Sequence, residues 1–262
     1  MSSVEELRKV VATLRAECPW DRAQDLRSMR PYLLEEAHEV LDALDLATNG
    51  GQTPDQLARL REELGDLLFQ VYFLARLAEE QGAFDIEAVA EGIVTKMIER
   101  HPHVYGGADG GRDTSLAGTI GAWEARKAAR RKSGSRVDGV PASLPALLRA
   151  HRVGEKVAHV GFDWPDLTGV LAKIDEERAE LLEAIASGDA DAIRHEYGDV
   201  LLATASLGRF LGIAGEDALR EANARFEGRF RKVEASAAAA GVAMEEAGLD
   251  RLEAWWQEAK RA

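Results

Sequence analysis

The stretch "LLEEAHEVLDAL", residues 33–44, sets Glu35, Glu36 and Glu39 beside Leu33, Val40 and Leu44. Positions three and four apart share one face of an α-helix, so these acids border a face that a helix would bury. Two readings compete. The acids point at water, as on any acidic helix, or they serve a site. The chain answers by repeating itself. "KIDEERAELLEAI" at 173–185 aligns Glu176, Glu177 and Glu180 with Glu35, Glu36 and Glu39. "REELGDLLFQVYFLARL" from residue 61 is matched by "RHEYGDVLLATASLGRFL" from 194, which aligns Glu63, Gly65 and Asp66 with Glu196, Gly198 and Asp199. Upstream, "CPWD" (18–21) parallels "GFDWP" (161–165). Downstream, Lys96 and Arg100 parallel Arg225 and Arg229, and Trp123 with Lys127 parallels Trp256 with Lys260. Elements that recur in the same order mark a duplicated unit. The chain reads as two copies of one helical module, 1–135 and 141–262.

The module is expected to be all-α. Apolar residues recur at three- and four-residue spacing almost throughout, and alternating runs bounded by turn residues are nearly absent. Helices are predicted over 3–17, 29–47, 54–81, 85–101, 115–132, 143–160, 168–187, 189–212, 215–240 and 248–261. "TNGGQTPD" (48–55) is the clearest break, and Pro54 suits a helix's first turn. "HPHVYGGADGGRDTS" (101–115) reads as a loop and "KSGSRVDGVP" (132–141) as a linker.

With 46% hydrophobic and 30% charged residues, the 262-residue chain has the composition of a soluble globular protein. A net charge of -13 repels phosphate backbones and anionic lipid, which argues against nucleic-acid and membrane partners. "RKAARRK" (126–132) is then a solvated helix end. An anionic ligand would need an intervening cation. The single cysteine, Cys18, excludes an internal disulfide and reads as a buried structural thiol. "MSSVEELRKVV" lacks the pattern of a secretion signal, and no run of about twenty apolar residues follows. These features together suggest a cytoplasmic protein.

The repeated acids have the spacing of a cation cage. Glu36 and Glu39 share one helix face, as do Glu63 and Asp66, and two such helices packed antiparallel aim four carboxylates into one space. Asp66 sits in "LGDLLFQVYFLARL" and Asp199 in "YGDVLLATASL", where almost no polar side is left. A carboxylate buried there costs several kcal/mol (roughly) unless it is paired with a cation, either an arginine or a metal. The glycine before each Asp is expected to let a helix or ligand approach closely. Hard oxygen donors without an obligatory His or Cys select Mg²⁺ or Mn²⁺ over zinc. A di-iron bundle is the rival metal reading, since Glu35 and His38 form Glu-x-x-His. The second copy has Ala179 at that position, so His38 reads as a solvated residue.

Acids spaced EExxE on one helix and ExxD on the next resemble the MazG-type nucleoside triphosphate pyrophosphohydrolases. So do "CPWD", "YLLEEAHEVLDAL", "EELGDLLFQV", "ERHPHVY", "VGFDWP", "EYGDVLL" and "NARFEGRF", which span nearly the whole chain. The resemblance implies an all-α homodimer that uses Mg²⁺ to hydrolyse nucleoside triphosphates between the first and second phosphates, releasing a monophosphate and pyrophosphate. It implies metal ligands at Glu36, Glu39, Glu63 and Asp66 in the first copy, and at Glu177, Glu180, Glu196 and Asp199 in the second. Two departures stand out. Members often carry Gln-Thr-His after the first Trp-Asp, where this chain has "RAQDLRS", and Arg225 replaces a lysine that such members can carry.

The remaining candidates follow from charge. Glu35 or Glu176 would accept a proton from the attacking water. Lys96 with Arg100, and Arg225 with Arg229, would neutralise the leaving pyrophosphate, unless they are merely solvated basic faces. Lys173, one turn before Glu177, is a further phosphate contact, with Tyr32 at its place in the first copy. Trp123 and Trp256 would stack on a base beside Lys127 and Lys260, or else anchor a helix to the core. The competing function is a catalytically silent helical dimer that binds nucleotide or a partner protein.

Overall fold

A computed structural model of the chain describes residues 2–49, 51–105 and 134–261. The chain divides into two compact units, Met1–Arg131 and Lys132–Ala262. Among the described residues every regular element is helical. No helix among them is long and apolar enough to cross a membrane.

The first unit contains α1 (Ser3–Glu17), α2 (Pro19–Ala23), α3 (Arg30–Asn49), α4 (Pro54–Glu80), α5 (Ile86–Arg100) and α6 (Pro102–Tyr105). Its centre is the hairpin of α3 and α4, against which α1 packs. The connection is set by local chemistry. Gly51 takes φ +87° and Gln52 φ +54°, which turns the chain back in the left-handed region. Thr53 then caps α4 in a reciprocal box with Gln56, and Pro54 occupies the first turn. Val11 of α1, Met29, and Phe73 and Leu77 of α4 form the core, flanked by Leu7, Tyr32 and Phe69. Arg15 ties α1 to the rest. It pairs with Glu80 at 2.6 Å and donates to the carbonyls of Asp21 and Gln24.

The second unit contains α7 (Ala146–Ala158), α8 (Leu167–Ser187), α9 (Ala190–Phe210), α10 (Gly215–Ala239), a 3₁₀ turn (Met244–Glu246) and α11 (Leu249–Arg261). Its α8–α9 hairpin is tighter. Gly188 ends α8 at φ +75°, and Asp189 immediately caps α9 through the amides of Asp191 and Ala192. Helix α7 packs on α9, and α10 packs on α7 and α11.

The long helices fall within three residues of the spans expected from periodicity. The sequence reading missed α2 and α6, which are a few residues long, and the 3₁₀ turn. The predicted helix 115–132 lies outside the described residues. Cys18 is half-buried rather than buried.

Candidate metal and nucleotide site

The hairpin geometry explains why these acids meet. Glu39 and Glu63 stand twelve residues on either side of Gly51, and Glu36 and Asp66 fifteen. Glu180 and Glu196 stand eight residues on either side of Gly188, and Glu177 and Asp199 eleven. Two antiparallel helices with equal rise bring residues at equal offsets side by side. The two loops differ in length, yet each module preserves this equality.

In the first module, oxygens of Glu36, Glu63 and Asp66 lie within 4.8 Å of one another. Glu39 is outside this group and exposed, but its charge still reaches Glu36. Burial is the main cause that lifts the Glu36 carboxyl above its usual range, and the charges of Asp66, Glu39 and Glu35 add to it. Gln70 opposes this by donating from Nε2 to Glu36 Oε1 at 3.3 Å. Gln70 is 5% exposed, and its own Oε1 has no partner. Arg59 lies 3.5 Å from Glu63.

In the second module, oxygens of Glu177, Glu180 and Glu196 lie within 4.8 Å of one another. Asp199 and Glu196 form a second group with His195, whose Nδ1 is 3.1 Å from Asp199 Oδ2. Glu177 is buried. Lys173 reaches back one turn to Glu176 at 2.7 Å and Glu177 at 2.8 Å. Those two hydrogen bonds, that to Glu176 first, push the Lys173 ammonium above its usual range. Desolvation, and then the charges of Glu177 and Glu196, raise the Glu180 carboxyl. Each module therefore holds a close set of carboxylate oxygens with excess negative charge, a donor set that fits a hard divalent cation.

The expected burial of Asp66 and Asp199 and the expected role of the glycines before them need correction. Asp66 is exposed, because Leu64, Leu68 and Val71 around it also face outward, so the apolar run is not a buried one. Asp199 is one-third exposed rather than enclosed. A Cβ added at Gly65 or Gly198 would meet nothing within 4 Å, so within the chain neither glycine serves a close approach. Glu35 is exposed, and Glu176 is engaged by Lys173. His38 is exposed, as expected of a solvated residue.

The basic and aromatic candidates divide. Lys96 is exposed on α5 and Arg100 half-buried at its end. Arg225 is 3.5 Å from Glu221 on its own helix, and Arg229 is half-buried one turn later. Trp256 contacts Phe226 at 5.0 Å between centroids, and Lys260 lies 5.7 Å over the Trp256 ring, so this Trp fastens α11 to α10. Trp123 and Lys127 lie outside the described residues.

Sequence reasoning missed a cavity. A space of about 290 Å³ lies among α7, α8, α9 and the 162–164 loop. Its walls are apolar, from Val153, Val157, Trp164, Leu202 and Ala203, and it adjoins Lys173, Glu177 and Asp199. Two glycines build it. A Cβ at Gly169 would come 2.6 Å from Trp164, and one at Gly154 3.2 Å from Arg209. Arg209 is clamped to Asp163 by two hydrogen bonds, at 2.8 and 2.5 Å. The signal was present in "GFDWP" and in the small residues Ala203 and Ser206, but periodicity does not report empty volume.

A family model described as the MazG nucleotide pyrophosphohydrolase domain matches residues 24–105 and again 167–234. The chain is 39% identical over 269 residues to a nucleoside triphosphate pyrophosphohydrolase of Escherichia coli, covering 100% of this chain and 98% of that protein. It is also 39% identical over 260 residues to a Thermotoga maritima protein named nucleoside triphosphate pyrophosphohydrolase/pyrophosphatase MazG, covering 98% and 95%. An uncharacterized Bacillus subtilis protein is 34% identical over 261 residues, covering 97% of this chain and 50% of its own length. Both acid-bearing hairpins fall inside the matched segments.

Proposed function

Since the chain belongs to the MazG nucleotide pyrophosphohydrolase family, we propose that it hydrolyses nucleoside triphosphates to the monophosphate and pyrophosphate in a divalent-metal-dependent reaction, clearing unwanted nucleotides. The observation that carries this reading is the convergence of three carboxylate oxygens within 4.8 Å on each hairpin, with Glu36 and Glu63 of the first group matched by Glu177 and Glu196 of the second. Mg²⁺ is the proposed ion, with Mn²⁺ as a substitute. Glu36, Glu39, Glu63 and Asp66, and Glu177, Glu180, Glu196 and Asp199, are the proposed ligands.

These carboxylates would hold the ion, which when bound would supply Lewis-acid chemistry for the attack of water on the triphosphate. The chain's own residues do the rest. Lys173 would exchange Glu176 and Glu177 for a phosphate oxygen, which frees Glu176 to accept a proton; Glu35 has that place in the first module. Lys96 and Arg100, and Arg225 and Arg229, would offset charge on the leaving pyrophosphate. Leu64, Leu68 and Leu201 are more than one-third exposed, which supports a homodimer that covers them. The net charge of -13 supports small-molecule substrates over nucleic acid or membrane, and a cytoplasmic setting completes the reading.

The test is incubation with mixed nucleoside triphosphates and Mg²⁺. Monophosphates and pyrophosphate are expected. If orthophosphate and diphosphates appear instead, the assigned bond is wrong. No product at all returns the silent nucleotide-binding dimer to the front.

A further inference from the structure

The two modules repeat their acids but differ in the side chains one and two turns beyond them. Aligning Gly65-Asp66 with Gly198-Asp199 sets Gln70 opposite Ala203 and Phe73 opposite Ser206. In the second module these small residues line the 290 Å³ cavity that adjoins Glu177 and Asp199. In the first module the same helix positions are filled. Phe73 is fully buried against Val11, Met29 and Leu77, and Gln70 is buried with its amide on Glu36. A benzyl group and a carboxamide thus take the volume that a methyl and a hydroxymethyl leave open.

The open cavity has the character of a site for a flat heterocycle. Its size is near the lower end of ligand pockets, about 300–1,000 Å³. It offers the Trp164 ring and aliphatic walls; Arg209 pairs with Asp163 through both terminal nitrogens while its buried Nε has no hydrogen-bond partner, and Lys173, Glu177 and Asp199 lie at its edge. The Ser206 hydroxyl donates to the Leu202 carbonyl and keeps its oxygen as an acceptor.

We propose that Ala203 and Ser206 are specificity-determining residues that admit a nucleobase to the second module, and that Gln70 and Phe73 exclude one from the first. The proposal rests on the nucleoside triphosphate reading above. Each module keeps its acids, but at these two helix positions the first is filled and the second opens on an apolar cavity, so one base-accepting site per chain is expected.

The experiment measures binding calorimetrically with Mg²⁺ present, comparing a nucleoside triphosphate with inorganic tripolyphosphate, which has the phosphates and no base. Ala203→Gln and Ser206→Phe are made separately, each copying the first module's residue into the second. Wild type is expected to bind one nucleoside triphosphate per chain. Each filled variant is expected to lose at least about tenfold in nucleotide affinity while holding tripolyphosphate within about twofold, with unchanged helical signal. Equal loss of both ligands, no loss of either, or two equivalent nucleotide sites in wild type would overturn the proposal. Because the readout is binding, a wild type that binds nucleotide without hydrolysing it defeats the pyrophosphohydrolase reading and leaves this one intact.

Discussion

Lys173 Nζ stands 2.8 Å from Glu177 Oε1, whereas the matching acid of the first module, Glu36, is held by the uncharged amide of Gln70. The same carboxylate position thus meets a cation on a long side chain in one module and only a buried amide hydrogen bond in the other. An ammonium on a flexible stem can transfer from carboxylate to phosphate, and a buried carboxamide cannot. Lys173→Gln removes that transfer without removing a metal ligand. It is expected to lower kcat/KM for Mg²⁺-nucleotide by about 10- to 100-fold, chiefly through KM, which steady-state kinetics at several Mg²⁺ concentrations would resolve. An unchanged kcat/KM would remove Lys173 from the phosphate site.

Asp199 lies at both the acid group and the cavity, so it reports on which module turns over. Asp199→Asn keeps the shape and removes one ligand charge. A loss of at least about 100-fold in kcat is expected, with helical content unchanged. The same substitution at Asp66 measures the first module's share. Full activity in Asp199→Asn would move turnover to the first module and contradict the one-site picture drawn from the cavity.

The helices and the repeat were legible because both are written in periodic apolar residues and in order. The acid pairs were legible for the same reason, since equal offsets about Gly51 and Gly188 follow from spacing. Exposure was not. Asp66 sits in an apolar run, and only the packed structure shows that Leu64 and Leu68 of that run face away from the chain's own core. Empty volume was also invisible, because Ala203 and Ser206 look like ordinary small helix residues until Trp164 and Gly154 are placed around them. Lys173 was visible as a phosphate candidate, but its reach to both Glu176 and Glu177 depends on rotamers that spacing does not specify.

Burial of Glu36 among neighbouring acids gives the metal-free protein a defined pH dependence. Burial, chiefly, raises the folded-state pKa of Glu36, so folding favours its protonated form. Its favourable contribution is present below the ordinary carboxylate range and is lost as pH rises through the raised value. Glu36→Gln mimics the protonated form and can still accept from Gln70. In chelator it is expected to raise Tm by about 1–2 °C at pH 7 and to leave Tm unchanged near pH 4. Saturating Mg²⁺ should reverse the order at pH 7, because the ion stabilises the wild type that binds it. Scanning fluorimetry with chelator and with Mg²⁺ decides it. A variant no more stable than wild type at pH 7 in chelator would show that burying the Glu36 charge among these acids carries no penalty.

Arg15 should be a structural keystone of the first module. Its side chain is 11% exposed and serves Glu80 and two backbone carbonyls at once. The hydrogen bond from Arg15 is the main cause that holds the Glu80 carboxyl below its usual range. That stabilisation is present above the ordinary carboxylate pKa and is lost as pH falls through the depressed one. Arg15→Met keeps the aliphatic stem but strands the carbonyls, at a cost of about 2 kcal/mol near pH 7. The difference from wild type should shrink toward pH 3 in urea denaturation. A constant difference across that range would mean that packing, not the ion pair, carries the effect.

Trp256 separates packing from stacking on a substrate. Its contact with Phe226, which itself stacks on Phe230 at 6.2 Å, fixes α11 against α10. Trp256→Ala removes a large half-buried ring and is expected to cost about 2–3 kcal/mol, while Trp256→Phe restores most of it. If the ring only fastens the helix, KM for nucleotide in Trp256→Phe stays within about twofold of wild type, since a phenyl ring keeps the contact with Phe226. If KM rises about tenfold while the denaturation midpoint is recovered, the indole touches the nucleotide directly, and the anchoring role is not its only one.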